Sequence, residues 1–372
     1  MPIQPFVSHP TPDFDRLMRV IRGAEVSRRA HLVELAIDAE VLMTLKGEYL
    51  QRPWVPLTAE SREQYYSQIA ELYWLLGYDG VLEGVWRTAW VNHPALGSPK
   101  TGDTAGELSR GEREWAREGK GLIDSWAAFE RFPWERIHAD YRPYEILAKS
   151  LKPGMKLYAS SSFFEHVLEN LLGYEGLFYL MADDPALVEA VFTRWGEKVL
   201  DYYRQVADLE EVGAIWHADD LGYKTGTILS PLDLERYVFP WFRRFARVAH
   251  ERGKPFLLHS CGELFQNGVI ETLIDDIRID ALHSFQDVIL PAGPCVARYG
   301  KRLGLLGGVD MDCLGRLAEA DLRSYVRGIL ETCLPGRFAL GTGNTVANYL
   351  PIRNYLAMLD EARRWNQENG DR

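Results

Sequence analysis

Lys254-Pro255-Phe256-Leu257-Leu258-His259-Ser260-Cys261-Gly262 reads as a short buried strand running into a turn. In extended chain, residues two apart point to the same side. His259 and Cys261 therefore share one side at the strand's C-terminal end. Imidazole and thiolate are the two best zinc ligands, and one short strand can present both. The plainer account of the same residues is a core histidine and a small buried cysteine. A complete zinc site needs at least one further protein ligand.

Seven other apolar runs match this strand, at 31–37, 78–85, 156–160, 213–217, 281–284, 303–307 and 338–341. With 255–259 they make eight. Most are followed by helical spacing of apolar residues, as in 232–251, 318–333 and 350–369. Strand–helix alternation implies parallel strands with right-handed crossovers. Eight units predict a (β/α)8 TIM barrel, with a doubly wound open sheet as the competing fold. The expected organisation is one domain over 1–372, with an N-terminal arm at 1–25. A polar insertion at 86–134, after the second strand, is expected on the barrel mouth, since loops of this length are often functional. The arm would lie across the barrel or mediate homodimer contacts.

In a barrel the chemistry sits at the C-terminal ends of the strands. The strand end at 213–217 leads into His217, Asp219, Asp220 and Lys224. Two adjacent carboxylates are costly to bury without a cation or donors, although helix capping would also satisfy them. Asp219, Asp220 and Glu83 are the candidate catalytic residues; Glu83 and Glu34 could equally pair with a buried arginine. His217, Lys224, Ser160, Gln286, Asp310, Thr342 and Asn344 are the candidate substrate-binding residues, and His259 and Cys261 the candidate metal ligands. Asp310 could instead cap the following helix.

The chain has 372 residues, 42 basic and 53 acidic, with a net charge of -11. That balance argues against a nucleic-acid groove or an anionic membrane surface, which demand clustered Lys and Arg. With 47% hydrophobic residues, the chain can build a sizeable core. No secretory signal pattern is seen, and Cys261, Cys295, Cys313 and Cys333 form no C-x-x-C pair. A cytoplasmic location with reduced thiols is the expectation.

The chain resembles the uroporphyrinogen decarboxylase superfamily over nearly its whole length. The resemblance rests on Arg22-Gly23-Ala24-Glu25, Thr227-Ile228-Leu229-Ser230-Pro231 with Phe239-Pro240, Gly253-Lys254-Pro255, Leu340-Gly341-Thr342-Gly343-Asn344 and Arg353-Asn354-Tyr355. It implies a (β/α)8 barrel. True decarboxylases of this family carry an arginine-rich N-terminal motif, an Asp after the second strand and a His in an L-G-H-G turn. Here the first run is Ala30-His31-Leu32-Val33-Glu34-Leu35, Glu83 stands near the Asp position and Thr342 replaces the His. The H-x-C element looks similar to that of the corrinoid-dependent methyltransferase branch, where it binds zinc. Thiol-using members add a Cys from the turn after the last strand; this chain has Thr342 and Asn344 there. The resemblance thus implies a zinc-dependent methyltransferase acting on a methoxylated aromatic, a methylamine or a thiol. Its expected cofactors are Zn2+ and a corrinoid carried by a partner protein. The alternatives are a decarboxylase or lyase acting on a small acidic molecule, and a non-catalytic ligand-binding barrel.

Overall fold

A computed structural model describes residues 3–83 and 90–369. Seven parallel strands lie side by side in chain order: β1 (Gly80–Glu83), β2 (Lys156–Ala159), β3 (Val212–Ala218), β4 (Phe256–His259), β5 (Ala281–His283), β6 (Gly304–Val309) and β7 (Phe338–Thr342). The segment 31–37, expected as a strand, takes the remaining position differently. It meets β7 and the turn after it through two isolated parallel bridges, Leu32 to Leu340 and Ile37 to Val346. The Val33 amide donates to the Leu340 carbonyl (2.9 Å), and the Leu340 amide donates to the His31 carbonyl (2.9 Å). Toward β1 the segment is tied by side chains: His31 Nδ1 and Asp79 Oδ2 bond at 2.7 Å. The result is a TIM-barrel-like fold with a seven-stranded ladder and one extended segment.

The helices are α1 (Phe14–Ile21), α2 (Arg62–Leu76), α3 (Arg142–Ser150), α4 (Tyr174–Asp183), α5 (Pro185–Ala207), α6 (Phe239–Glu251), α7 (Ala292–Tyr299), α8 (Glu319–Cys333) and α9 (Ile352–Asn369), with shorter turns between. Two apolar clusters define the layers. The larger joins the helices to the outer faces of the strands. The smaller contains Val33, Leu35, Tyr158, Trp216, Leu257, Leu306 and Ala339, one or more from most strands, and fills the lumen. Phe14, Leu17, Met18 and Ile21 of α1 belong to this inner cluster. The helix of the N-terminal arm is therefore a plug in the barrel floor. Gly213 makes room for it, because a Cβ there would overlap the Phe14 ring. Burying Phe14 contributes roughly 1.5–3 kcal/mol.

Alternation along the strands assigns each side chain a side. Leu257 faces the lumen and Leu258 the helices, so His259 faces the lumen at the mouth. By the same alternation Trp216 and Ala218 face inward and His217 outward. The described part of the insertion docks on this mouth. The Leu122 and Ile123 amides donate to the carbonyls of Asn170 and Leu171 after β2 (3.0 and 2.8 Å). Arg110 reaches Asp38 and Asp103 accepts from Asn348, both beyond strand ends.

Candidate metal centre

β3, β4 and β5 are paired so that His259 lies beside Ala218 on one flank and His283 on the other. Past the end of β3 the chain reverses, and the Asp220 carboxylate reaches the turn after β4. Its Oδ1 accepts from the Cys261 amide at 2.6 Å and lies 3.4 Å from His259 Nε2. Cys261 Sγ is 3.8 Å from the same nitrogen. One ligand atom from each of Asp220, His259 and Cys261 falls within 4.8 Å of the others, the only such group found among the described residues. Neighbouring ligands of a tetrahedral zinc ion, bonded at 2.0–2.3 Å, stand about 3.3–3.8 Å apart. The three donors therefore fit zinc in kind, and the two separations from His259 Nε2 fit it in spacing.

The surroundings support a sulfur that carries charge when ligated. Asn344 Nδ2 donates to Cys261 Sγ at 3.2 Å, and Ser284 Oγ lies 3.3 Å from it. Burial and then the Asp220 charge push the free thiol well above its ordinary range. A bound cation removes that penalty, because metal binding and thiol deprotonation are linked. His259 is 5% exposed. Its Nδ1 shares a 2.7 Å hydrogen bond with His283 Nδ1, and His283 Nε2 donates to the Thr342 carbonyl at 2.9 Å. Burial, followed by the His259 charge, holds His283 well below the usual imidazole range.

Beside the triad lies a cavity of about 530 Å³, lined among others by Glu165, Glu169, Asp220, Lys224, Cys261 and Gln286. Lys224 and Gln286 thus belong to one space with the triad. Asn344 touches it through the sulfur. Glu165 and Glu169 follow β2 on consecutive turns, Glu165 in the short α-helical turn Phe164–His166 and Glu169 in the wide turn Val167–Leu171. Burial, then the charges of Asp220 and Asp219, raises the Glu169 carboxyl to about 7 and Glu165 well above its ordinary value. Both keep a proton more readily than an exposed carboxyl does.

Several expected site residues are spent elsewhere. Asp219 is fully buried and accepts from the amides of Phe163, Phe164 and Glu165 (2.9–3.0 Å). It also bonds His217 Nε2 at 2.7 Å, so it anchors the helical turn that carries Glu165. His217 points out of the barrel, between Tyr203 Oη (2.7 Å) and the rings of Phe242 and Phe245. Thr342 also faces outward, where its hydroxyl and amide donate to Glu34 (2.6 and 3.0 Å). Asp310 caps the helix Met311–Arg316, accepting from the amides of Asp312 (2.8 Å) and Cys313 (3.2 Å), and also takes the Asp287 amide. None of these four is among the residues that line the cavity. Ser160 is fully buried and lies outside the cavity wall. The backbone of Glu83 ends β1, while its side chain lies outside the described residues. His283, Glu165 and Glu169 were missed in the sequence. His283 is two residues from inward-facing Ala281 on the strand beside His259, a side that the apolar run does not reveal by itself.

This fold and mouth define the chain as a TIM-barrel protein with an Asp-His-Cys donor set at the C-terminal ends of adjacent strands. Residues 145–365, more than half of the chain, match the Uroporphyrinogen decarboxylase (URO-D) family, and the chain belongs to it. Among solved structures it is similar to a methyltransferase from Methanosarcina mazei. That likeness has a TM-score of 0.67 and 17% identity, covering 94% of this chain and 97% of the other. It is also similar to a putative vitamin-B12 independent methionine synthase from Listeria monocytogenes. There the TM-score is 0.50 and the identity 12%, covering 92% of this chain and 97% of the other. At these identities the likeness is one of fold. No curated protein sequence matches the chain. No helix among the described residues is long and apolar enough to cross a membrane.

Proposed function

We propose that this chain is a zinc-dependent methyltransferase of the corrinoid-linked branch. It would move a methyl group between a small methylated compound (a methoxylated aromatic, a methylamine or a thiol) and a corrinoid protein. The convergence of Asp220, His259 and Cys261 beside a cavity of substrate size carries this reading. His259 Nε2, Cys261 Sγ and an Asp220 oxygen would hold the ion. Zinc would supply Lewis acidity to the heteroatom that loses or gains the methyl.

The chain's own groups do the rest. Cys261 gives up its proton on ligation, and the Asn344 amide stabilises the sulfur that remains. In the demethylating direction the methyl would pass to the corrinoid protein as acceptor, and the heteroatom would keep the electron pair of the broken bond. Glu169, protonated up to about 7, and Glu165 stand in the same wall and can deliver a proton to it. Lys224 is the one cation among the described lining residues, against three carboxylates, which gives no support to decarboxylation of a polyacidic substrate.

Metal analysis of the purified protein tests this reading. About one zinc per chain is expected in the wild type, and loss of it in His259→Ala and Cys261→Ser, because structural affinity rests on the full ligand set. Unchanged metal content in both variants would sink the assignment.

A further inference from the structure

The hydrogen bonds behind His259 form a directed chain. The Thr342 carbonyl oxygen can only accept, so His283 Nε2 carries a proton and donates to it over 2.9 Å. His283 is fully buried, and its hydrogen-bond partners are a carbonyl and an imidazole, with no carboxylate among them to offset a charge, so its Nδ1 keeps a lone pair and no proton. The partner of that lone pair, 2.7 Å away, is His259 Nδ1, which must therefore be the N–H donor. The second nitrogen of His259, Nε2, is then the one whose proton can be given up. It is also the one that faces Asp220 Oδ1 at 3.4 Å and Cys261 Sγ at 3.8 Å.

We propose that His283 is a positioning residue that fixes the tautomer and ring angle of His259, so that Nε2 is presented to the ion. The inference rests on the metal site proposed above and assigns a second layer to it. A histidine ligand commonly donates its other N–H to an acceptor, and that acceptor sets ring orientation and ligand basicity. The usual acceptors are a carboxylate, a carbonyl or water. Here it is a second imidazole, which has a carbonyl behind it to set its own tautomer. The local backbone is shaped for this. Gly307 on β6 has φ +99, and a Cβ there would stand 3.0 and 3.1 Å from His283 Cδ2 and Nε2 and 2.7 Å from the Thr342 oxygen. Trp216 packs edge-on against the His283 ring, at 5.3 Å between centroids. The ring is thus held in plane by Trp216 while Gly307 leaves its Nε2–H path clear.

The test combines two readouts. Nitrogen NMR of metal-free wild type, at a pH about two units above the ordinary imidazole value, should show His259 protonated at Nδ1 and bare at Nε2. His283→Phe keeps the ring shape and removes both nitrogens; its zinc Kd, by competition with a chelator, should rise by about 10–100-fold. A bare Nδ1 with a protonated Nε2 in the wild type overturns the proposal. So does a folded His283→Phe protein with a zinc Kd within about twofold of wild type, since an orienting partner is expected to matter more than that. If His283→Phe does not fold, the wild-type spectrum decides alone. Wild type that shows the Nδ1–H pattern but binds no zinc would sink the metal reading and leave the tautomer assignment standing.

Discussion

Asp219 and Asp220 are adjacent in the chain, and they belong to different regions of the molecule. Asp219 lies in the layer between barrel and helices, fully buried, with three amides and an imidazole on its oxygens. Asp220 lies in the mouth with its side chain 35% exposed, holding one amide and facing a histidine nitrogen and a cysteine sulfur. The same contrast separates Thr342, committed to Glu34 in the outer layer, from Asn344, whose amide reaches the Cys261 sulfur. Outer-layer polar groups close their hydrogen bonds on the protein itself. Mouth groups instead converge on one another, and a carboxylate, an imidazole and a thiol brought together are a set that a cation accommodates.

Substitution of the two aspartates should break this contrast most sharply. Asp219→Ala strands three buried amides and His217, and should cost about 3–5 kcal/mol in denaturant unfolding. Asp220→Ala should cost under about 1 kcal/mol of metal-free stability, as for a partly exposed pair. It should nevertheless weaken zinc binding by more than the roughly 10–100-fold typical of an outer-layer partner. If the two variants exchange these phenotypes, the layer assignment is wrong. Thr342→Val removes the shortest bond to Glu34 and should cost about 1–3 kcal/mol, with zinc affinity unchanged.

The smallest effect expected is one of pH. Burial raises the Glu34 carboxyl from about 4.5 to about 8, so the folded state favours its neutral form. Its contribution is fully present below the unfolded value and is lost as pH rises through the folded value, because the unfolded chain then binds fewer protons. Unfolding midpoints should accordingly fall between about pH 4.5 and pH 8, and Glu34→Gln should flatten that fall. Glu169, raised to about 7 in the mouth, leaves a residual slope in the variant. A Glu34→Gln profile parallel to wild type would show that Glu34 is not the buried acid responsible.

Much of the architecture was legible in the chain, yet the side of each polar residue was not. Parallel barrel strands are buried on both faces, so β3, with its run Ala214-Ile215-Trp216-His217-Ala218, offers no polar alternation from which to tell lumen from helix layer. His217, Asp219 and Asp220 therefore looked equivalent. His283 was hidden for the same reason, inside an apolar three-residue strand. Glu165 and Glu169 sit on a helical stretch beyond β2, and only the folded chain brings them to the cavity.

Eight strands are read from the sequence alone, of which seven form the ladder and the eighth, 31–37, makes two isolated bridges. The sequence also determined that His259 and Cys261 share a side, because alternation in extended backbone is local geometry. Tertiary structure decided what completes the site. The bonds that do so join residues separated by 24, 41 and 83 positions: His259 with His283, Asp220 with Cys261, and Cys261 with Asn344. Strand register and the turns after β3 and β7 set those distances, and neither is written in the spacing of any single stretch.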